Sequence, residues 1–230
     1  MDLQGALGSL TPAFDSSVQN QRGALALVGG ILYVPFGGHY GDCGAYRGWV
    51  VGLSTAAPGT VTSFHTAAPA GGIWSPSGVV SDGQHLFVAT GNTSTGSTWG
   101  GGDGVYRLGL GPTWSGGTAD SWAPSDWKSL DNADLDTSTA LLVDAPGSTP
   151  SALVAAFGKN GVGYLLDRAN LGGLGAEKSQ RQLSGEINGA AVTYGSDAGT
   201  FVVVRAEGPG VACTGGTSGS LVAMTVGPSA

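Results

Sequence analysis

The chain has 230 residues, 43 of them glycine, with 41% hydrophobic and 11% charged residues and a net charge of −7. That hydrophobic share excludes a disordered chain, and glycine without a three-residue period excludes collagen, so the glycines punctuate turns between short strands. Only nine Lys and Arg, in no basic run, argue against nucleic acid or an anionic membrane as partner, and no apolar run is long enough for a membrane helix.

The first 20 or so residues, from "MDLQGALGSL", lack the basic start and apolar stretch of a signal peptide. They are expected to add an outer strand to some sheet. Strand-like runs then recur in threes: "ALALV", "ILYVPF", "WVVGL"; "GVVSD", "HLFVAT", "VYRLGL"; "ALLVD", "LVAAFG", "GYLLD"; "AAVTY", "TFVVV", "LVAMTV". Gly, Asn and Asp separate the runs, as hairpins require. "SDWKSLDNADLD" has too few apolar residues at helical spacing and reads as a long loop.

The triplets begin near residues 23, 78, 139 and 189. A period of roughly 50–60 residues with about four strands per unit is the pattern of propeller blades. "TVTSFHT" and "QRQLSG" offer fourth, outer strands. The fold class is therefore all-β: a β-propeller of four-stranded antiparallel blades in one domain over residues 1–230, with blades at roughly 18–66, 71–125, 130–184 and 185–227.

"QNQRGALALVGGILYVPFGGHYGDCGAYRGWVVGL", "GGIWSPSGVVSDGQHLFVATGN" and "LVAAFGKNGVGYLLDRANLGG" resemble blades of the pyrroloquinoline-quinone-like propeller superfamily, over about residues 18 to 226. The resemblance implies the fold more strongly than an activity. Its quinoprotein dehydrogenase members have eight blades, so this chain looks like a four-blade half. The adjacent Cys pair that those enzymes stack on the quinone is missing here, and their repeated Gly-to-Trp docking motif fits only in places. Pyrroloquinoline quinone is accordingly not the expected cofactor. A start without an export signal, joined to blades resembling those of exported proteins, points to a fragment or an alternative start.

In such a blade the hairpin between the second and third strands opens on the same face as the lead-in to the first. That rule gathers Arg22, His39, Asp42, Cys43, Tyr46, Trp74, Trp99, Asp103, Asp131, Asp134, Asp136, Lys159, Glu186, Asn188 and Cys213 on one face. In "HYGDC" the sharp reading is a divalent metal site, zinc or calcium, with His39, Asp42, Asp134, Asp136 and Glu186 as ligands. The plainer reading makes Asp42 a turn former and Tyr46 a packing residue. Lys159 in "GKNG" would stabilise an oxyanion or stand solvated in a tight turn. His39, Asp42 and Lys159 are the catalytic candidates, and Tyr46, Trp74, Trp99 and Arg22 the substrate-binding ones. His65 and His85 read as structural, and Trp114 and Trp122 as covers of a blade edge.

Three functions follow in order. The first is metal-assisted hydrolysis of an ester or phosphoester small molecule, the second non-catalytic binding of a ligand or protein partner, and the third quinone-dependent dehydrogenation. Cys43 and Cys213 occupy corresponding hairpins and are expected near each other, bonded only under oxidising conditions. Four blades would leave two apolar faces open, so a two-fold homodimer setting blade four of each chain against blade one of the other is expected to close the ring.

Overall fold

The computed structural model describes residues 2–93, 97–130, 140–183, 185–206 and 221–227. It is nearly all β. Among the described residues the only helical pieces are α1 (Leu3–Leu7) and two 3-10 turns, Thr118–Asp120 and Trp127–Leu130. The second turn falls at the start of the stretch expected to be a loop; residues 131–139, with Asp131, Asp134 and Asp136, lie outside the described residues.

Four sheets follow one another along the chain. The first holds β1 (Gln19–Asn20), β2 (Ala26–Val28), β3 (Ile31–Gly38), β4 (Trp49–Ser54) and β5 (Val61–His65). The second is built on β6 (Val80–Ser81), β7 (His85–Thr90), β8 (Gly104–Gly109) and β9 (Ser121–Ala123). The third joins β10 (Ala140–Asp144), β11 (Ala152–Phe157) and β12 (Val162–Asp167) to an outer strand, β14 (Ser179–Gln182). Between β12 and β14 the chain crosses back, and β13 (Gly173–Leu174) pairs in parallel with β9 of the second sheet. The fourth sheet holds β15 (Val192–Ser196), β16 (Gly199–Arg205) and β17 (Leu221–Val226). The other pairings among the described strands are antiparallel and join strands next to each other in the chain, apart from β1 with β3 and β12 with β14, with hairpin registers such as Val34↔Val51 and Val154↔Leu166.

Side-chain alternation explains how the sheets stack. Successive residues of a strand point to opposite faces. On β7, Leu86 and Val88 pack with Tyr33, Val50 and Phe64 of the first sheet, whereas Phe87 and Ala89 pack with Ala140, Val154 and Ala156 of the third. On β11, Leu153, Ala155 and Phe157 turn the other way, against Val202, Val204 and Val226 of the fourth. Central strands are therefore apolar at consecutive positions because both their faces are covered. This serial face-to-face stacking of antiparallel sheets is propeller-like.

The N-terminal segment differs from expectation. Rather than forming an outer strand, Gln19 and Asn20 pair with Gly38 and Gly37 on the edge of β3 that β2 also uses, opposite β5. The three residues of β2 end their pairing at Tyr33, and β1 takes up backbone groups further along. Upstream, Leu7 and Phe14 cover Phe36, Trp49 and Val51, with the Phe14 ring 5.1 Å from Phe36 and 5.5 Å from Trp49. This first-sheet face, expected to meet a second chain, is thus occupied by the chain's own start.

Candidate functional site

The crowded hairpin between β3 and β4 forms one wall of a cleft of about 250 Å³. Arg22, His39, Asp42, Trp74 and Lys159 all line it, together with Asn20, Tyr40 and Asn92. These residues come from the lead-ins to the first two sheets and from hairpins of the first three. Five of the residues singled out in the sequence are thus brought together across three sheets.

Local geometry explains the hairpin's composition. Gly41 and Asp42 both have positive φ, 84° and 53°, and the Asp42 N–H donates to the His39 carbonyl at 3.1 Å. Asp tolerates this left-handed conformation better than most residues. Gly37 and Gly38 serve a different need. A Cβ at Gly37 would strike the Trp74 indole, and one at Gly38 would strike the Tyr46 ring. With no side chains there, Trp74 reaches over the strand and its Nε1–H donates to the Gly38 carbonyl at 2.8 Å.

Beneath the cleft, Tyr46 is buried rather than surface-exposed, 1% accessible, with its ring 5.3 Å from that of Trp74. Its hydroxyl donates to Asp42 Oδ1, and Asn92 Nδ2 approaches the same hydroxyl at 3.4 Å. Tyr46 therefore supports the wall and orients Asp42, combining the packing role with a polar one. Arg22 Nε–H donates to the Trp74 carbonyl at 2.8 Å, which fixes the base of the guanidinium while the side chain stays exposed.

Other candidates lie elsewhere. Trp99 does not line this cleft: it stacks on Tyr106 with centroids 6.2 Å apart and donates to the Gly102 carbonyl at 2.6 Å. Asp103 is fully buried. Glu186 is exposed and is not part of the cleft lining. Cys43 is exposed, and its expected neighbour Cys213 lies outside the described residues. His65 lies 4.9 Å from the Trp49 ring, and His85 beside Asp82, both away from the cleft. Trp114 is 38% exposed at an edge, but Trp122 is no edge cover. It is fully buried against Tyr164, and its Nε1–H donates to Glu177 at 3.0 Å.

For the expected metal, the fit is incomplete. His39 and Asp42 share the cleft, Asp134 and Asp136 are outside the described residues, and among the described residues no three His, Cys, Asp or Glu side chains converge on one point. The residue that sequence reasoning missed is Asn92. It is 8% exposed, has a positive φ of 44°, and its Oδ1 has no hydrogen-bond partner among the described residues. The signal was present in "VATGN", where a Gly-Asn pair follows a strand on the loop side of the second sheet.

No protein-family model and no curated protein matches the chain. Its fold is similar to a solved structure. That structure is a quinohemoprotein alcohol dehydrogenase from Comamonas testosteroni, at 18% identity and a TM-score of 0.47, over 72% of this chain and 29% of that one. The matched part is under a third of that enzyme's length.

Proposed function

We propose that the protein binds a small anionic ligand in the cleft between its first three sheets. One observation carries this reading: Arg22 and Lys159, from separate segments, line a single cleft beside His39 in a chain with nine Lys and Arg and sixteen Asp and Glu. Cations gathered in a concave, partly apolar site concentrate field and attract anions despite an opposing net charge. Arg22, anchored through Nε, keeps its two Nη groups for a planar carboxylate or a phosphate.

Titration calorimetry with inorganic phosphate, citrate and D-glucuronate tests it. At least one anion should bind, more weakly as salt is raised. Arg22→Ala should weaken that binding by about tenfold, or roughly 1.4 kcal/mol. Absence of binding by all three, or affinity unchanged in both Arg22→Ala and His39→Ala, would overturn the proposal.

His39 and Asp42 on one wall favour a second reading, metal-assisted hydrolysis of an ester or phosphoester. Further ligands would then come from outside the described residues, where Asp134 and Asp136 lie. Its check is bound zinc or calcium together with turnover of an activated phosphotriester. His39→Ala and Asp42→Ala should each lower both by about tenfold or more. Full metal content and turnover in both variants would remove this reading.

A further inference from the structure

Resting on the anion-binding reading, we infer that the cleft's ligand is a polyhydroxylated monocarboxylate of monosaccharide size, such as a hexuronate or an aldonate. Cations alone would suit any anion. The cleft, however, also presents acceptors. Asp42 carries a carboxylate into the same wall as His39, with Oδ1 taken by the Tyr46 hydroxyl and its other oxygen left to accept. A carboxylate at that position repels polyphosphates and other multiply charged ligands, and favours a single negative charge held on the Arg22 side.

Asn92 is the second acceptor. Its side chain is more than nine-tenths buried and lines the cleft, its amide nitrogen faces Tyr46, and its Oδ1 is unpaired among the described residues. An unpaired buried acceptor is destabilising, and a hydroxyl donated by a ligand would offset that cost. This oxygen is enclosed as the side chain stands, and a turn about the last side-chain torsion, giving up the 3.4 Å contact to Tyr46, would be needed to bring it to the cleft. Ligand hydroxyls are therefore the groups that complete Asp42 and Asn92, while a carboxylate completes Arg22. A volume of about 250 Å³ accommodates one sugar ring rather than a chain of them. Tyr40, fully exposed at the rim, and half-buried Trp74 supply aromatic surface for the ring's C–H faces.

The test is a comparison of ligands on the unaltered protein. D-glucuronate, D-galacturonate and D-gluconate are titrated beside cyclohexanecarboxylate, which keeps the charge and size without hydroxyls, and beside D-glucose, which keeps hydroxyls without charge. At least one hydroxy acid should bind about tenfold or more tightly than both controls. Asn92→Gly, which suits the left-handed backbone, should reduce that preference over cyclohexanecarboxylate while the protein keeps its circular dichroism spectrum. If cyclohexanecarboxylate or phosphate binds as well as every hydroxy acid, the hydroxyl inference is overturned and anion binding stands. If no anion binds, both fall. If D-glucose binds as tightly as the hydroxy acids, the site reads sugars without charge and the inference is again overturned.

Discussion

Arg22 and Trp74, 52 positions apart, are joined by one hydrogen bond, from the Arg22 Nε–H to the Trp74 carbonyl at 2.8 Å. The lead-in to the first sheet is thereby tied to the lead-in to the second. The same tryptophan returns a hydrogen bond to Gly38, so three segments of the cleft share one residue. Trp74→Phe keeps a ring but loses that donor. It should lower stability by about 1 kcal/mol and weaken anion binding, measured by urea denaturation and calorimetry.

Gly37→Ala tests the close approach of the indole. A methyl group there collides with Trp74 and forces it off the strand. The expected cost is about 1–3 kcal/mol with loss of binding. Ala at Gly59, where a Cβ meets nothing within 4 Å, is the control and should leave both unchanged.

Trp122 holds the second and third sheets together, fully buried against Tyr164 and bonded to Glu177. Trp122→Ala should cost about 3–5 kcal/mol, read from the urea midpoint. Glu177→Gln retains an acceptor for the indole N–H and should cost under about 1 kcal/mol.

Two tyrosines and an aspartate among the described residues contribute to the pH dependence. Burial holds the Tyr106 phenol well above the ordinary tyrosine range and raises Tyr164 as well, the latter despite its bond from Asn160. Above about pH 10 the unfolded chain releases these protons while the folded chain keeps them, so stability falls as pH rises past that point. Tyr106→Phe should flatten the alkaline fall, although it also deletes a hydrogen bond to the Gly101 carbonyl. Asp82 acts at the other end. Burial pulls its carboxyl upward, but the backbone N–H groups of His85 and Gln84 outweigh this and leave it below the usual value. Its contribution is present at neutral pH and is lost as pH falls below about 4. Urea midpoints across the pH range check both limbs.

Assembly gives a further test. On the fourth sheet, Val192, Tyr194 and Leu221 are 56%, 51% and 66% exposed, on the face opposite the one packed against the third sheet. We expect a second copy to cover this face, giving a mass by light scattering near twice the 22.7 kDa chain. Tyr194→Lys should then yield monomer. A monomeric unaltered protein would remove the expectation.

Local order was legible in the residues. Alternating and continuous apolar runs such as "HLFVAT" and "LVAAFG", cut by Gly and Asn, mark strands because burial on one or both faces leaves that imprint. The rule for hairpin direction likewise put Arg22, His39, Asp42, Trp74 and Lys159 on one side, since antiparallel strands alternate their ends. Long-range matters were not legible. That residues up to Phe14 would cover the first sheet, that β13 would cross to the second, and that Trp99 would turn to Tyr106 depend on which apolar surfaces remain open once the sheets have stacked. Asn92 was hidden for the same reason: an unpaired amide oxygen exists only after neighbouring segments close over it, and a linear chain carries no record of which partners are left out.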